Sequence, residues 1–161
     1  MTYLAIGYGN PLRSDDGAGQ KVAELVANWH RKDVRSLPLH QLTPELADEI
    51  SRADIAIFID ATPVTSATPA RVQVQLLEPL AIASSLGHNS TPQYLLSLAK
   101  ELYHAAPKAY WILIPAVNFE FGEKFSPITE QGIKIALKKI EEIIGNEQPI
   151  TNNQQPTTKN Q

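Results

Sequence analysis

Cysteine is absent from this chain of 161 residues. Disulfides, thiolate metal sites and cysteine nucleophiles are therefore excluded, and any metal must be bound through oxygen and nitrogen. The net charge of -3 at pH 7 gives no basic footprint for phosphates, so we expect no nucleic-acid partner. Apolar runs are too short to cross a membrane, and the first residues lack the basic region of a signal peptide. We therefore expect a soluble, cytoplasmic protein.

The stretch GYGNPLRSDDGAG, residues 7–19, has glycines typical of a nucleotide-binding turn but not their spacing. The dinucleotide fingerprint requires a third glycine where this chain has Leu12. No Gly-Lys-Ser or Gly-Lys-Thr precedes a helix, and Asp15 and Asp16 would repel a phosphate there. The G-x-S-x-G elbow of serine hydrolases and the H-E-x-x-H motif of zinc proteases are missing as well. The sequence therefore gives no support to any of these four sites.

Strand and helix patterns alternate along the chain, and 43% hydrophobic residues suffice for one core. We predict an α/β three-layer sandwich, with a twisted, mostly parallel sheet of about five strands and helices on both faces. The segment ARVQVQLLE, residues 70–78, alternates apolar and polar residues and is predicted to form an antiparallel edge strand. Residues 1–145 form the single predicted domain, and residues 146–161 are too polar to fold and are predicted to be a disordered tail.

Apolar periodicity also predicts which side of each amphipathic segment is buried. Thr91 or Ser90 should cap one helix with Pro92 at its first position, and the last helix should begin near Ser126 and end at Gly145. The predicted apolar faces are, in chain order, Val22, Leu25, Val26 and Trp29; Val72, Val74 and Leu76; Leu95, Leu98, Ala99 and Leu102; and Ile133, Leu137, Ile140 and Ile144.

Three polar side chains are expected at one edge of this sheet. Asp16 follows the first strand, Asp60 ends the third strand, and His88 precedes a helix. Ligands of open α/β sheets bind at the carboxyl ends of strands. Two carboxylates and an imidazole suit Ni²⁺ or Zn²⁺ and leave coordination positions open. Taken singly, each residue also fits a cap or turn role, and Ser14 or Asp15 could cap the first helix equally well.

These motifs together resemble the nickel-iron hydrogenase maturation endopeptidases over about residues 1–145. The resemblance is carried by G-x-G-N-x-L-x-x-D-D/E-G-x-G at residues 7–19, by the strand ending IDA, by the loop GHNSTPQYLL and by the closing helix. It implies a twisted five-stranded sheet and an endopeptidase that removes a C-terminal extension from the hydrogenase large-subunit precursor. It further implies that Asp16, Asp60 and His88 bind the nickel carried by that precursor. Asp15 is then left as the helix cap.

One loop departs from the pattern of the family. Many members carry Asp-Gly-Gly-Thr after the second strand, whereas this chain has His40-Gln41-Leu42-Thr43. A catalytic carboxylate in this loop is therefore in doubt, and we expect His40 and Gln41 to contact the precursor instead. The group that attacks the peptide stays unassigned, because the family uses no serine or cysteine nucleophile. The alternatives are a non-proteolytic, metal-sensing chaperone of the precursor and a metallo-aminopeptidase, and we expect a monomer.

Overall fold

Strand and helix alternate along the chain as the sequence predicts. The computed structural model describes residues 1–79 and 91–146. The strands are β1 (Tyr3–Tyr8), β2 (Val34–Leu39), β3 (Ile55–Pro63), β4 (Gln73–Leu77) and β5 (Lys108–Ala116). The helices are α1 (Ala18–Ala27), α2 (Leu46–Arg52), α3 (Pro92–Tyr103) and α4 (Pro127–Asn146), and a 3-10 turn at Ser14–Gly17 precedes α1.

The strands form one sheet in the order β2-β1-β3-β5-β4. Strands β2, β1, β3 and β5 are parallel, and β4 pairs antiparallel with β5 at the edge. The predicted fold class is confirmed, including the antiparallel edge strand. Because β1 and β3 are neighbours, the residues that follow β1 and those near the end of β3 meet at one edge of the sheet.

Helices cover both faces of the sheet, and each face has its own apolar cluster. Helices α1 and α4 pack on one face, where the buried residues include Val22, Ile57, Ile114 and Ile140. Helices α2 and α3 pack on the other, with buried residues such as Ile6, Ile50, Phe58, Leu95 and Leu96. Strands β1 and β3 are therefore buried on both sides, which explains why their sequences are apolar at nearly every position.

Two glycines allow α1 to approach the sheet at backbone distance. A Cβ on Gly7 would overlap the carbonyl oxygen of Gly19, and a Cβ on Gly19 would overlap the carbonyl oxygen of Ile59. The glycines of residues 7–19 thus serve close packing of helix on strand rather than a phosphate. This packing fixes where the turn before α1 lies relative to β3.

Two of the predicted apolar faces are only partly correct. Val72 packs against the α4 side of the core, but Val74 and Leu76 are 40% and 63% exposed, and Leu77 on the opposite face is buried. Strand β4 is the outermost strand, so its apolar face extends past the helices that cover the rest of the sheet. Leu102 is 58% exposed because it lies in the last turn of α3, beyond the apolar cluster.

The predicted starts of the two long helices are confirmed. The Thr91 side chain accepts a hydrogen bond from the Tyr94 amide at 3.2 Å, and Pro92 is the first residue of α3. Helix α4 begins at Pro127 and extends to Asn146, one residue past the predicted end. The remainder of the predicted tail lies outside the described residues. Of the helices described in residues 1–79 and 91–146, none is long and apolar enough to cross a membrane.

Candidate functional site

The connection from β1 to α1 carries Asp16 to the carboxyl edge of the sheet. The Asn10 amide donates to Asp16 Oδ2 at 2.9 Å, so the loop closes over the first turn. Gly9 has a φ of 143°, and a Cβ at this position would overlap the Asp16 carbonyl oxygen. Only glycine meets both conditions without strain. The motif glycine therefore holds the backbone of Asp16 in place.

Asp60 lies on β3 directly beyond the last residue that pairs with β1. Gly7 of β1 is in register with Ile59, so Tyr8 and Asp60 come next to each other at the same edge. Asp60 Oδ1 accepts from the Ala61 amide at 2.8 Å, and the Tyr8 hydroxyl lies close enough to this carboxylate to lower its pKa. Asp60 is half-buried, with its carboxylate oriented by strand backbone and by the neighbouring strand.

Burial raises the pKa of Asp60 to about 7, against the partly offsetting effect of hydrogen bonds from Ala61 and Tyr8. The negative charge of Asp16 raises the pKa of Asp60 further. The two predicted carboxylates are thus close enough to repel each other. Within residues 1–79 and 91–146, neither carboxylate forms an ion pair with lysine or arginine. Two carboxylates in this arrangement favour the binding of a proton or of a cation.

Tyr8 and Trp111 extend the site below Asp60, and the sequence interpretation missed both. Burial, followed by the charge of Asp60, raises the pKa of the Tyr8 hydroxyl, which therefore stays protonated and able to donate. The Trp111 indole N–H approaches Tyr8 and lowers its pKa, but the buried nitrogen has no partner within hydrogen-bond geometry. We therefore regard the Trp111 approach as a weak polar contact. Tyr8 is the variable residue of the G-x-G motif. In the sequence, only its hydroxyl group indicates that it could have a role in the site.

Asp15 has a structural role different from the predicted one. Neither the 3-10 turn nor α1 has a side-chain cap, so Asp15, Ser14 and Asp16 do not cap these elements. The fully buried Asp15 carboxylate instead accepts from the Val117, Asn118 and Ser126 amides at 3.0, 3.0 and 2.8 Å. It also accepts from the Ser126 hydroxyl at 2.7 Å.

Burial alone would raise the pKa of Asp15, but these hydrogen bonds outweigh it and lower the pKa. The carboxylate therefore stays charged and links the loop before α1 to the loop before α4. The predicted capping role was wrong because the donors lie more than one hundred positions away in the sequence.

Of the three remaining predicted site residues, the structure describes two, His40 and Gln41. His40 and Gln41 follow β2 and are exposed at the carboxyl end of that strand. In the described parts of the chain, no three His, Asp or Glu side chains form a metal-binding group, so His40 does not complete the pair. His88, the predicted third ligand, lies outside the described residues. Asp16 and Asp60 are therefore the two predicted ligands that the structure brings together.

No family model matches the chain, and no curated protein matches it. The hydrogenase maturating endopeptidase HybD from E. coli superposes with a TM-score of 0.70 at 20% identity, covering 91% of this chain and 93% of its own. HybD from Thermococcus kodakarensis, a NiFe hydrogenase maturation protease, gives 0.67 at 23% identity, with 89% and 99% covered. The maturation protease HycI from the same archaeon gives 0.66 at 20%, with 90% and 93% covered. The chain has the fold of the hydrogenase maturation proteases.

This fold agrees with the resemblance seen in the sequence motifs and extends over nearly all of the described chain. A shared fold supports many chemistries, so function has to be argued from the residues of the site. Those residues are a pair of unneutralised carboxylates at the edge where α/β folds bind ligands.

Proposed function

We propose that this protein is an endopeptidase that removes the C-terminal extension of a NiFe hydrogenase large-subunit precursor. The observation that supports the proposal is the convergence of Asp16 and Asp60 at the carboxyl edge of the sheet, without a basic partner in the described residues. The solved structures of similar fold include proteins named as hydrogenase maturation proteases. Nickel belongs to the precursor and enters the site as part of the substrate.

The donor chemistry of the site suits nickel. Asp16 uses one oxygen for the Asn10 amide, and Asp60 uses one for the Ala61 amide, so each retains an oxygen with free lone pairs. A divalent cation would relieve the repulsion between the two carboxylates and favour the ionised form of Asp60. With His88 as the proposed third ligand, an imidazole would bias the site towards late first-row metals and away from magnesium or calcium.

The chain's own contribution is to hold these ligands and to present the precursor. The protonated Tyr8 hydroxyl lies beside Asp60, where it can donate to the carboxylate and restrict the direction of its free lone pairs, as outer partners of metal ligands commonly do. The exposed His40 and Gln41 lie at the end of β2, beside β1, where they can contact the precursor. When bound, nickel supplies Lewis-acid polarisation next to the peptide that is cleaved.

The decisive experiment is to incubate the protein with nickel-loaded precursor and to follow loss of the C-terminal extension by mass spectrometry. We expect cleavage by the wild type and loss of at least 100-fold in rate in the Asp16→Asn, Asp60→Asn and His88→Ala variants. Asp48→Asn is the matched control, because Asp48 is a surface carboxylate paired with Arg52. Full activity of an Asp16→Asn, Asp60→Asn double variant would contradict the site.

The same experiment separates peptidase from chaperone. Stable, nickel-dependent association without cleavage on prolonged incubation would favour the non-proteolytic alternative. We further propose that the protein acts in the cytoplasm as a monomer. Light scattering of the purified chain tests the monomer, and detection of the tagged protein after cell fractionation tests the compartment.

A further inference from the structure

Three exposed apolar side chains lie on two loops beside the candidate site. Leu12 is 47% exposed, Val117 is 57% exposed and Phe121 is 88% exposed. Leu12 belongs to the loop 10–14, which leads into the turn that carries Asp16, and the other two belong to the loop 117–122 after β5. Both loops follow parallel strands and therefore lie at the carboxyl edge of the sheet.

Hydrogen bonds join the two loops. The Gly122 amide donates to the Leu12 carbonyl at 2.8 Å, and the Ser14 amide donates to the Gly122 carbonyl at 2.8 Å. The Ser14 hydroxyl donates to the Glu120 carbonyl at 2.8 Å. Gly122 has a φ of 155°, which side chains rarely adopt. Phe121 is therefore exposed on a well-connected segment, next to a glycine required by the turn.

Phe121 is almost entirely exposed and so contributes none of the free energy that burial of a phenylalanine would supply; a partner that covered it would gain this free energy. Apolar surface that is grouped beside a site and held in place is typical of a recognition surface. Binding to a preorganised surface avoids the entropic loss of ordering it. The other large apolar side chains exposed in the described residues lie elsewhere: Met1, Val74, Leu76, Leu102 and Tyr103.

We propose that Leu12, Val117 and Phe121 form a docking surface for an apolar, extended segment of the precursor next to its cleavage site. The proposal rests on the proposed function and names the residues that recognise the substrate chain. We name the precursor as the bound partner because the docking surface is continuous with the candidate site. The loop 10–14 leads directly into the turn with Asp16, and the loop 117–122 is hydrogen-bonded to Asp15. Both loops thus border the edge of the sheet that carries Asp16 and Asp60, where a substrate chain bound at the carboxylate pair would lie.

The test compares two double variants in binding and in cleavage. Leu12→Ser, Phe121→Ser removes the docking surface, and Leu102→Ser, Tyr103→Ser removes a similar exposed leucine and aromatic pair at the end of α3. The dissociation constant for nickel-loaded precursor is measured by biolayer interferometry, cleavage by mass spectrometry, and folding by the thermal midpoint. We expect the first variant to bind at least tenfold more weakly, with near-normal cleavage at saturation and an unchanged midpoint.

The control variant should bind within twofold of the wild type, and Phe121→Leu, which keeps apolar surface, should bind within about threefold. Unchanged affinity in the Leu12→Ser, Phe121→Ser variant overturns the docking surface while leaving the peptidase proposal intact. If the wild type binds the precursor without cleaving it, the peptidase proposal fails and the affinities still decide the docking surface. A wild type that does not bind the precursor overturns both.

Discussion

Two adjacent aspartates, Asp15 and Asp16, show how strongly environment separates the roles of identical side chains. Asp15 is fully buried, and its pKa is lowered by three backbone amides and a hydroxyl. Asp16 is half-buried, accepts one amide and faces the Asp60 carboxylate. The first is a structural anion satisfied by the protein, whereas the second has capacity for a ligand.

Substitution of these aspartates should therefore affect different properties. Asp15→Asn replaces an acceptor of several hydrogen bonds with an amide whose N–H groups face other donors. We expect a loss of about 2–4 kcal/mol in the free energy of unfolding. Asp16→Asn should lose less than about 1 kcal/mol, because one partly exposed hydrogen bond is affected. Urea denaturation of both variants measures the difference, and equal losses would contradict the two roles.

The carboxyl group of Asp60 should make stability depend on pH with a definite sign. Its folded-state pKa of about 7 lies above the ordinary value of 3.8, so the folded protein holds a proton that the unfolded chain releases. Stability from this group is therefore present below pH 4 and is lost as pH rises towards 7. Asp60→Asn should gain stability relative to the wild type between pH 5 and pH 8. Urea midpoints at both pH values measure this, and a constant difference would refute it.

For single residues, the sequence predicts the chemical role of a side chain better than it predicts which groups that side chain contacts. Asp16 and Asp60 were predicted because one follows a recognisable strand and the other lies near the end of one, and parallel neighbours place such residues at one edge. The roles of Asp15 and Tyr8 depend on partners from other strands and loops, which no local pattern contains. Whether His88 joins the pair stays a prediction.

At the scale of the elements, the bounds follow from apolar periodicity and caps, and the errors arise where tertiary coverage ends. The pattern of β4 correctly predicts a strand, but Val74 and Leu76 are exposed because the helices do not extend over the outermost strand. Leu102 has the correct helical spacing but lies beyond the cluster that would cover it. A periodic pattern identifies a face of an element, whereas the presence of a neighbour decides its burial.

The contact of α1 with the sheet gives a prediction for this element. Gly7→Ala or Gly19→Ala would place a Cβ on a backbone oxygen, so α1 would have to move outward. We expect each to cost at least about 2 kcal/mol of unfolding free energy and to weaken the nickel binding that we propose for this site, because the turn with Asp16 moves too. Gly145→Ala is the control, since its Cβ would meet nothing within 4 Å and should stabilise α4 by up to about 1 kcal/mol. Calorimetry and titration with Ni²⁺ measure both effects.

For the molecule as a whole, the folding energy comes from apolar clusters on both faces of the sheet. In small domains, a structural metal site stabilises the fold where the apolar core is too small to do so. This chain instead has a packed apolar layer on each face of its sheet. The fold is accordingly the part most completely predicted from sequence. Its determinants, apolar strands and amphipathic helices, recur along the chain rather than depend on one contact.

We therefore expect a metal ion to change the free energy of unfolding only by binding to the folded protein. A chelator such as EDTA should leave the thermal midpoint of the purified protein unchanged. Added Ni²⁺ at one hundred times its dissociation constant should stabilise the wild type by about 2.7 kcal/mol. The Asp16→Asn, Asp60→Asn double variant should show no such increase, and Asp48→Asn should retain it. Differential scanning fluorimetry tests this, and unfolding on chelation would refute the metal-independent core.

The carboxylate of Asp15 has a consequence for the protein during its synthesis. Its hydrogen-bond donors, Val117, Asn118 and Ser126, are 102, 103 and 111 positions further along the chain. A nascent chain halted before residue 117 contains Asp15, Asp16 and Asp60 but none of the groups that donate to the Asp15 carboxylate. Domains form during translation only as far as their contacts have emerged from the ribosome. The Asp15 carboxylate therefore gains its full set of hydrogen bonds only after residue 126 has been synthesised.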